Sequence, residues 1–301
     1  EVAGVKCDLC PRKCLVDRKK GEKGICGQTE NLKVARAALH FWEEPCISGD
    51  AGSGAVFFSG CPLHCVFCQN ENIANGTVGK EISLERLVDI FLELQEKRAN
   101  NINLVTPGHF VPQIVKALDQ ARKEGLTLPV VYNTSSYETV DTIKMLEGYV
   151  DIYLPDFKYM SPGLSKKYSH APDYAEVAKA AIAEMVRQTG KAVFVNGDED
   201  NLILRGTIVR HLTLPGCMAD SMQILKYLHE TYGDMIYISI MNQFTPLSNL
   251  EKYPELNRRI TDEEYETLVD YAIEIGIENG FIQEGDTAEE SFIPAFDCEG
   301  V

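Results

Sequence analysis

Three cysteines stand within eight positions of the stretch "GCPLHCVFCQN": Cys61, Cys65 and Cys68. Three local thiolates without a fourth suit a metal centre that keeps one coordination position open for another molecule. A structural zinc site wants four closed ligands, usually as two CxxC knuckles. A zinc loop remains the plainer alternative for these three. A second set, Cys7-x2-Cys10-x3-Cys14-x11-Cys26, gives four thiolates in 20 residues, with Gly21, Gly24 and Gly27 between or beside them. Four ligands close a tetrahedral zinc shell, and three clustered thiolates plus one distant one can equally hold a [4Fe-4S] cluster. The remaining cysteines, Cys46, Cys217 and Cys298, have no neighbours at ligand spacing and are expected as small buried hydrophobes. Trp42, His40 and His64 read as packing or surface residues.

These groups need a scaffold. Residues 1–50 hold five of the ten cysteines and no long amphipathic helix, so they form a small metal-stapled N-terminal segment in this reading. From residue 51 to 284, short apolar runs alternate with helical patterns. "AVFFSG", "NINLVTPG", "PVVYNTSS", "VDIYLPDFKY", "LILRGTIVRHLTLPG", "MIYISIMNQF" and "GFIQ" read as strands. Helices are predicted near 83–99, 110–124, 138–147, 172–189, 219–231 and 262–275. Strand–helix alternation specifies parallel strands with crossover helices. Six or seven units predict an α/β fold: an open, partial (β/α)6-type TIM barrel carrying the Cys-rich appendage. Residues 285–301 are a separate C-terminal tail, and its acidic stretch "EGDTAEE" is expected to be loosely ordered.

Polar residues collect where the predicted strands end: Gly60-Cys61, Thr106-Pro107-Gly108, Asn133-Thr134, Asp156-Phe157-Lys158 and Asn242-Gln243. Parallel barrels build their active sites on that face. Several of these have plainer readings. His109 suits a helix start, Asp156 after Pro155 suits a turn, Lys158 could be a solvated loop lysine, and Arg210 beside His211 could pair with a carboxylate at the core's edge.

Composition bounds the partners. The formal charge of −16 argues against nucleic acid, whose phosphates demand clustered Lys and Arg. No apolar run reaches the roughly 18 residues of a membrane span, and "EVAGVKCDLC" lacks the pattern of a signal peptide. Clustered cysteines outside a small disulfide scaffold point to a reducing, cytoplasmic setting.

The CxxxCxxC spacing, with the aromatic Phe67 before the third cysteine and a strand before the loop, resembles the signature of radical S-adenosylmethionine (SAM) enzymes. "CQN", "LPDFK" and "VRHLTLPG" resemble the activating-enzyme branch, those related to pyruvate formate-lyase activating enzyme. "CDLCPRKC…GEKGIC" resembles its PflX-like subgroup and the radical SAM proteins associated with AMMECR1 and Memo partners. The resemblance spans about residues 7 to 283. It implies a [4Fe-4S] cluster on Cys61, Cys65 and Cys68 whose fourth iron binds SAM, reductive SAM cleavage to a 5′-deoxyadenosyl radical, and hydrogen abstraction. The implied substrate is a partner protein of the glycyl-radical type, with a small molecule or peptide as the alternative; a scaffold that has lost catalysis is the third reading. An electron donor such as flavodoxin or ferredoxin is implied too.

By resemblance Phe67 contacts the adenine and Asn70 braces the cluster loop. Thr106, Pro107 and Gly108 stand where the branch receives the SAM amino group; His109 replaces its usual Glu, leaving backbone carbonyls or the Thr106 hydroxyl as acceptors. Asn133 and Thr134 replace an Asp-Thr near the SAM carboxylate. Asp156 and Lys158 match polar contacts to SAM or substrate and are the expected catalytic pair. Arg210 matches an arginine that pairs with the SAM carboxylate. Asn242 and Gln243 replace a Tyr-His pair near the ribose. Cys7, Cys10, Cys14 and Cys26 would hold Zn2+ or an auxiliary [4Fe-4S] cluster.

Overall fold

The computed structural model describes residues 6–198, 201–247, 250–283 and 294–301. Its frame is one sheet whose described strands are β1 (Lys33–His40), β2 (Ser53–Phe58), β3 (Lys80–Glu81), β4 (Ile102–Val105), β5 (Val130–Thr134), β6 (Ile152–Pro155), β7 (Val193–Phe194), β8 (Ile203–Leu212), β9 (Tyr237–Met241) and β10 (Gly280–Ile282). The order across the sheet is β10-β9-β8-β6-β5-β4-β2-β1-β3, with β7 paired to β8 off this path. From β2 to β10 the neighbours on this path run parallel, in register at pairs such as Val56–Leu104, Tyr132–Tyr153 and Val209–Ile238. The path ends at β3 and β10 without closing, which is a partial barrel.

Every residue of β2, β4, β5 and β6 is buried. Continuous apolar strands of this kind arise when both faces of a parallel sheet are covered. The covering helices supply an apolar stripe at helical spacing: Leu87, Val88, Ile90, Phe91 and Leu94 on Leu84–Glu96, and Val111, Ile114, Ala117, Leu118 and Ala121 on Val111–Lys123. Their starts are set locally. The Ser83 hydroxyl accepts from the Arg86 N–H, and Thr261 forms a reciprocal capping box with Glu264.

Residues 33–40, counted with the N-terminal segment from the sequence, are β1, an antiparallel member of the main sheet beside β2. The end of the chain returns to this strand. Cys298 N–H donates to Ala35 O, Ala37 N–H donates to Glu299 O, and Arg36 pairs with Asp297 and Glu299. The "EGDTAEE" stretch lies outside the described residues.

Candidate active site

The loop after β2 carries Cys61, Cys65 and Cys68 at the C-terminal ends of the parallel strands. Cys61, Cys65, Cys68, Phe67 and Asn70 line one wall of a cleft of about 260 Å3. The other walls are the ends of successive strands: Thr106 after β4, Asn133 and Thr134 from β5, Asp156 and Lys158 after β6, Arg210 in β8, and Gln243 after β9. Pro107, Gly108 and Asn242 are close in sequence to these walls but do not line them.

Around Arg210 the polar residues form one network. Its Nε donates to Asp156 Oδ1 at 2.9 Å, Nη1 to Glu43 Oε2 at 3.0 Å, and Nη2 to Asn133 Oδ1 at 2.7 Å. Lys158 Nζ donates to the other Asp156 oxygen at 2.6 Å. The second Glu43 oxygen accepts from Asn103 and Asn133. Two cations thus face two anions. Burial alone would raise the Asp156 pKa, but Lys158 and Arg210 outweigh it and hold the carboxyl below its ordinary range. Burial would lower Lys158, and Asp156 reverses that, so its ammonium is held charged.

The three thiols are the opposite case. Burial pushes Cys61 up to about 11 and Cys68 up to about 12, and it raises Cys65, against which Lys158 and the Ser169 hydroxyl pull. Ser169 Oγ donates to Cys65 Sγ at 3.0 Å. A buried thiolate of this kind needs a cation to receive it, and soft thiolates select iron–sulfur clusters. Among the described residues no three His, Cys, Asp or Glu side chains close on a single ion. The three thiols line one cleft, and the corners of an iron–sulfur cluster keep their ligands farther apart than a single ion does. The donor set fits a [4Fe-4S] group, which these three thiols would hold.

Other elements hold the loop in place. Phe67 is 5% exposed and packs edge-on against Tyr159, Tyr168 and Phe244. Gln69 Nε2 donates to Gln243 O at 2.8 Å, tying the loop's end to the segment after β9. Thr106 has φ +55, a left-handed backbone that costs a β-branched residue energy. It bends the chain into the buried turn Gly108–Phe110. A Cβ on Gly108 would lie 2.5 Å from Glu138 Oε2, so a larger residue there would have to displace that buried carboxyl end. Glu138 is raised to about 7 by burial, against the pull of Thr134 and Tyr132. His109, buried, is lowered to about 3 and stays neutral.

Glu43 escaped the sequence reading. It follows β1 in "WEEP", far in the chain from the strand ends, and no spacing marks it. Its neighbour Glu44 is buried too, and burial raises its carboxyl pKa.

The N-terminal cysteines lie against this loop. Cys7 and Val16–Leu15 are joined by backbone hydrogen bonds, and Cys14 Sγ accepts from the Ile25 N–H at 3.3 Å. Lys13 and Leu15, on either side of Cys14, have φ of +42 and +55, a bent backbone that presents the thiol. Burial raises Cys26 and pushes Cys10 up to about 12, with neighbouring thiols of the same set adding to each. Three contacts join the two cysteine groups. Arg12 Nε donates to Pro62 O at 2.8 Å, the His64 Nε2 and Ile25 O lie 2.7 Å apart, and Cys26 O packs against Gly60.

A partial parallel barrel with a three-thiol loop on its first parallel strand opens into a cleft ringed by strand ends, an α/β scaffold that carries the thiol donors for a cluster. Residues 55–203 match the family model described as the radical SAM superfamily, and that stretch of the chain is a radical SAM domain. The chain is 27% identical over 275 residues, 88% of its length and 74% of the other's, to the uncharacterized protein MJ0674 of Methanocaldococcus jannaschii. Its fold is similar to that of Streptococcus suis SuiB bound to S-adenosylmethionine, with a TM-score of 0.52 and 13% identity over 75% of this chain and 49% of that one. It is also similar to HydG, a maturase of the [FeFe]-hydrogenase, with a TM-score of 0.51 and 15% identity over 77% and 52%. The chain spans about half the length of these two solved structures. Among the described residues no helix is long and apolar enough to cross a membrane.

Proposed function

We propose that this radical SAM enzyme abstracts hydrogen from a polypeptide substrate, in the manner of an activating enzyme, inside a reducing compartment. The observation that carries the polypeptide is a second cavity, of about 800 Å3, that shares Glu43 and Gln243 with the cysteine cleft. Amide side chains line it (Asn100, Asn201, Gln243 and Gln283), and Phe41 and Trp42, 50% and 57% exposed, stand at it. Amides pair with peptide groups, and aromatic faces take up side chains at little entropic cost.

Cys61, Cys65 and Cys68 would hold the [4Fe-4S] cluster. When bound, it supplies the electron that splits SAM into methionine and a 5′-deoxyadenosyl radical. The protein's own residues then do the positioning. Lys158 and Arg210 offer cations to the SAM carboxylate, and Asp156, kept ionised between them, offers an acceptor to its amino group. Phe67 provides an apolar wall for the adenine. Asn133, Thr134 and Gln243 supply neutral hydrogen-bonding groups around the cleft. Cys7, Cys10, Cys14 and Cys26 would hold a second centre, zinc or an auxiliary cluster.

The test is anaerobic reconstitution with iron and sulfide, followed by SAM and dithionite. Slow 5′-deoxyadenosine formation is expected, lost in each of Cys61→Ala, Cys65→Ala and Cys68→Ala and accelerated by the right polypeptide. Unchanged SAM cleavage in any of the three variants would falsify the cluster assignment. Acceleration by small metabolites alone would overturn the polypeptide substrate.

A further inference from the structure

Charge is unevenly distributed along this chain. Residues 6–23 hold seven Lys and Arg against three Asp and Glu, a net of +4, while the whole chain carries −16 and the remainder therefore −20. The two arginines face inward. Arg12 donates to Pro62 O and Ser169 O, and Arg18 is buried against Thr29 O and His109 O. Lys6, Lys13, Lys19, Lys20 and Lys23 face outward. Leu15 and Ile25, 53% and 49% exposed, belong to the same segment. Asp8 and Glu22 are exposed in it as well, so the positive charge is a net excess. Exposed apolar side chains within such an excess have the make-up of a transient docking surface, an apolar centre with a steering rim.

The position of this segment says what the surface serves. Ile25, whose side chain is exposed, gives its carbonyl to His64, which adjoins Cys65; the next carbonyl, of Cys26, packs against Gly60, which adjoins Cys61. Arg12 reaches Pro62 O and Ser169 O, and the Ser169 hydroxyl donates to Cys65 Sγ. Anything seated on Ile25 is therefore one layer of backbone from the cysteine loop. The reaction proposed above consumes an electron at that loop.

We propose that this basic face docks an acidic one-electron donor protein, which delivers the electron used at Cys61, Cys65 and Cys68; the purpose of the docking rests on the radical SAM reading above. One electron leaves the donor's reduced flavin or iron–sulfur group and enters the site, and no atoms change hands. The net −20 elsewhere on the chain repels an acidic partner, so the attraction is confined to this face. An extended polyanion such as RNA would overrun the patch onto that acidic surface, which favours a compact partner.

The probe is an oxidised flavodoxin, an acidic protein carrying FMN, titrated calorimetrically against the reconstituted full chain. Binding is expected to weaken as salt rises. Lys19→Glu with Lys23→Glu should weaken it about tenfold or more, and the Gln pair by an intermediate amount. The rate of SAM cleavage driven by reduced flavodoxin should fall with the affinity, while the dithionite-driven rate stays at the parent value, which also shows that the variants are folded. Unaltered flavodoxin affinity in the Glu pair overturns the proposal, as does an RNA oligonucleotide that binds as tightly with the same lysine dependence. Absence of dithionite-driven cleavage in the parent protein counts against the radical SAM reading instead, and leaves the binding result to stand or fall by itself.

Discussion

Arg210 has given its Nε and both Nη nitrogens to Asp156, Glu43 and Asn133, three groups from three different segments. It therefore organises the cleft's polar side, and Lys158, whose ammonium pairs with Asp156, is the cation with more freedom to meet a ligand. Replacing Asp156 by Asn leaves two buried cations with one carboxylate between them. Breaking a buried pair in this way costs about 3–5 kcal/mol. Asp156→Asn should therefore lower the urea midpoint by that equivalent and weaken SAM binding, while iron content stays near the parent level because no thiol is touched. A stability loss under about 1 kcal/mol would show that the network is worth little. Much of this residue-level arrangement was legible: strand-end positions named Asp156, Lys158, Asn133 and Thr134 because side chains there must face the cleft. Glu43 was not, since only folding brings β1's end beside β8. Glu138 was hidden similarly, in a helix-start pattern that looks structural.

At the scale of elements, the parallel strands were readable because both of their faces are buried and their residues run apolar without interruption. β1 was not, since its burial follows no period of two and its small residues Ala35, Ala37 and Ala38 leave little signal. Two elements meet at Gly60, whose φ is +93 and whose Cβ would lie 2.5 Å from Cys26 O. A backbone oxygen cannot swing aside, so Gly60→Ala must separate the N-terminal segment from the cysteine loop. Faster proteolysis between residues 6 and 30 and lower iron retention are the expected readouts, and parent-like protection would contradict this packing. The β8 residue His211 is 2% exposed, with Nδ1 at Phe157 O and Nε2 at Ser221 Oγ, both 2.8 Å. Burial lowers its pKa to about 4. The unfolded chain takes up a proton near pH 6.5 that the folded chain refuses. Stability is thus fully present above about 6.5 and is lost as pH falls through about 4, by up to about 3 kcal/mol. His211→Gln should cost about 1–3 kcal/mol at pH 8, yet flatten the decline between pH 6.5 and 4. An equally steep decline in the variant, followed by urea unfolding, would assign the acid sensitivity elsewhere.

For the whole molecule, the question is whether the N-terminal segment stands apart from the barrel or completes it. Its sequence suggested a stapled appendage outside the site. Folded, it rests on the loop of Cys61, Cys65 and Cys68 through Arg12, Ile25 and Cys26, a relation that spacing within either group could not reveal because the contacts join residues about 40 to 160 positions apart. Among its described residues the segment has little apolar interior of its own: before Leu32 the buried hydrophobe is Cys26, and Leu15 and Ile25 face outward. Left-handed backbone at Lys13 and Leu15 must be offset by something, and four thiols drawn to one centre would do so. Metal analysis of the reconstituted protein should then find more than the four irons of one cluster: about four irons with one zinc, or about eight irons. Cys14→Ser should return the count to about four irons, because Cys14 belongs to the N-terminal set while Cys61, Cys65 and Cys68 are intact. The same variant should lower the thermal midpoint, since the ligand set that offsets the bent backbone is gone. Four irons and no other metal in the parent protein would refute the second centre, and the segment would then owe its order to the barrel alone.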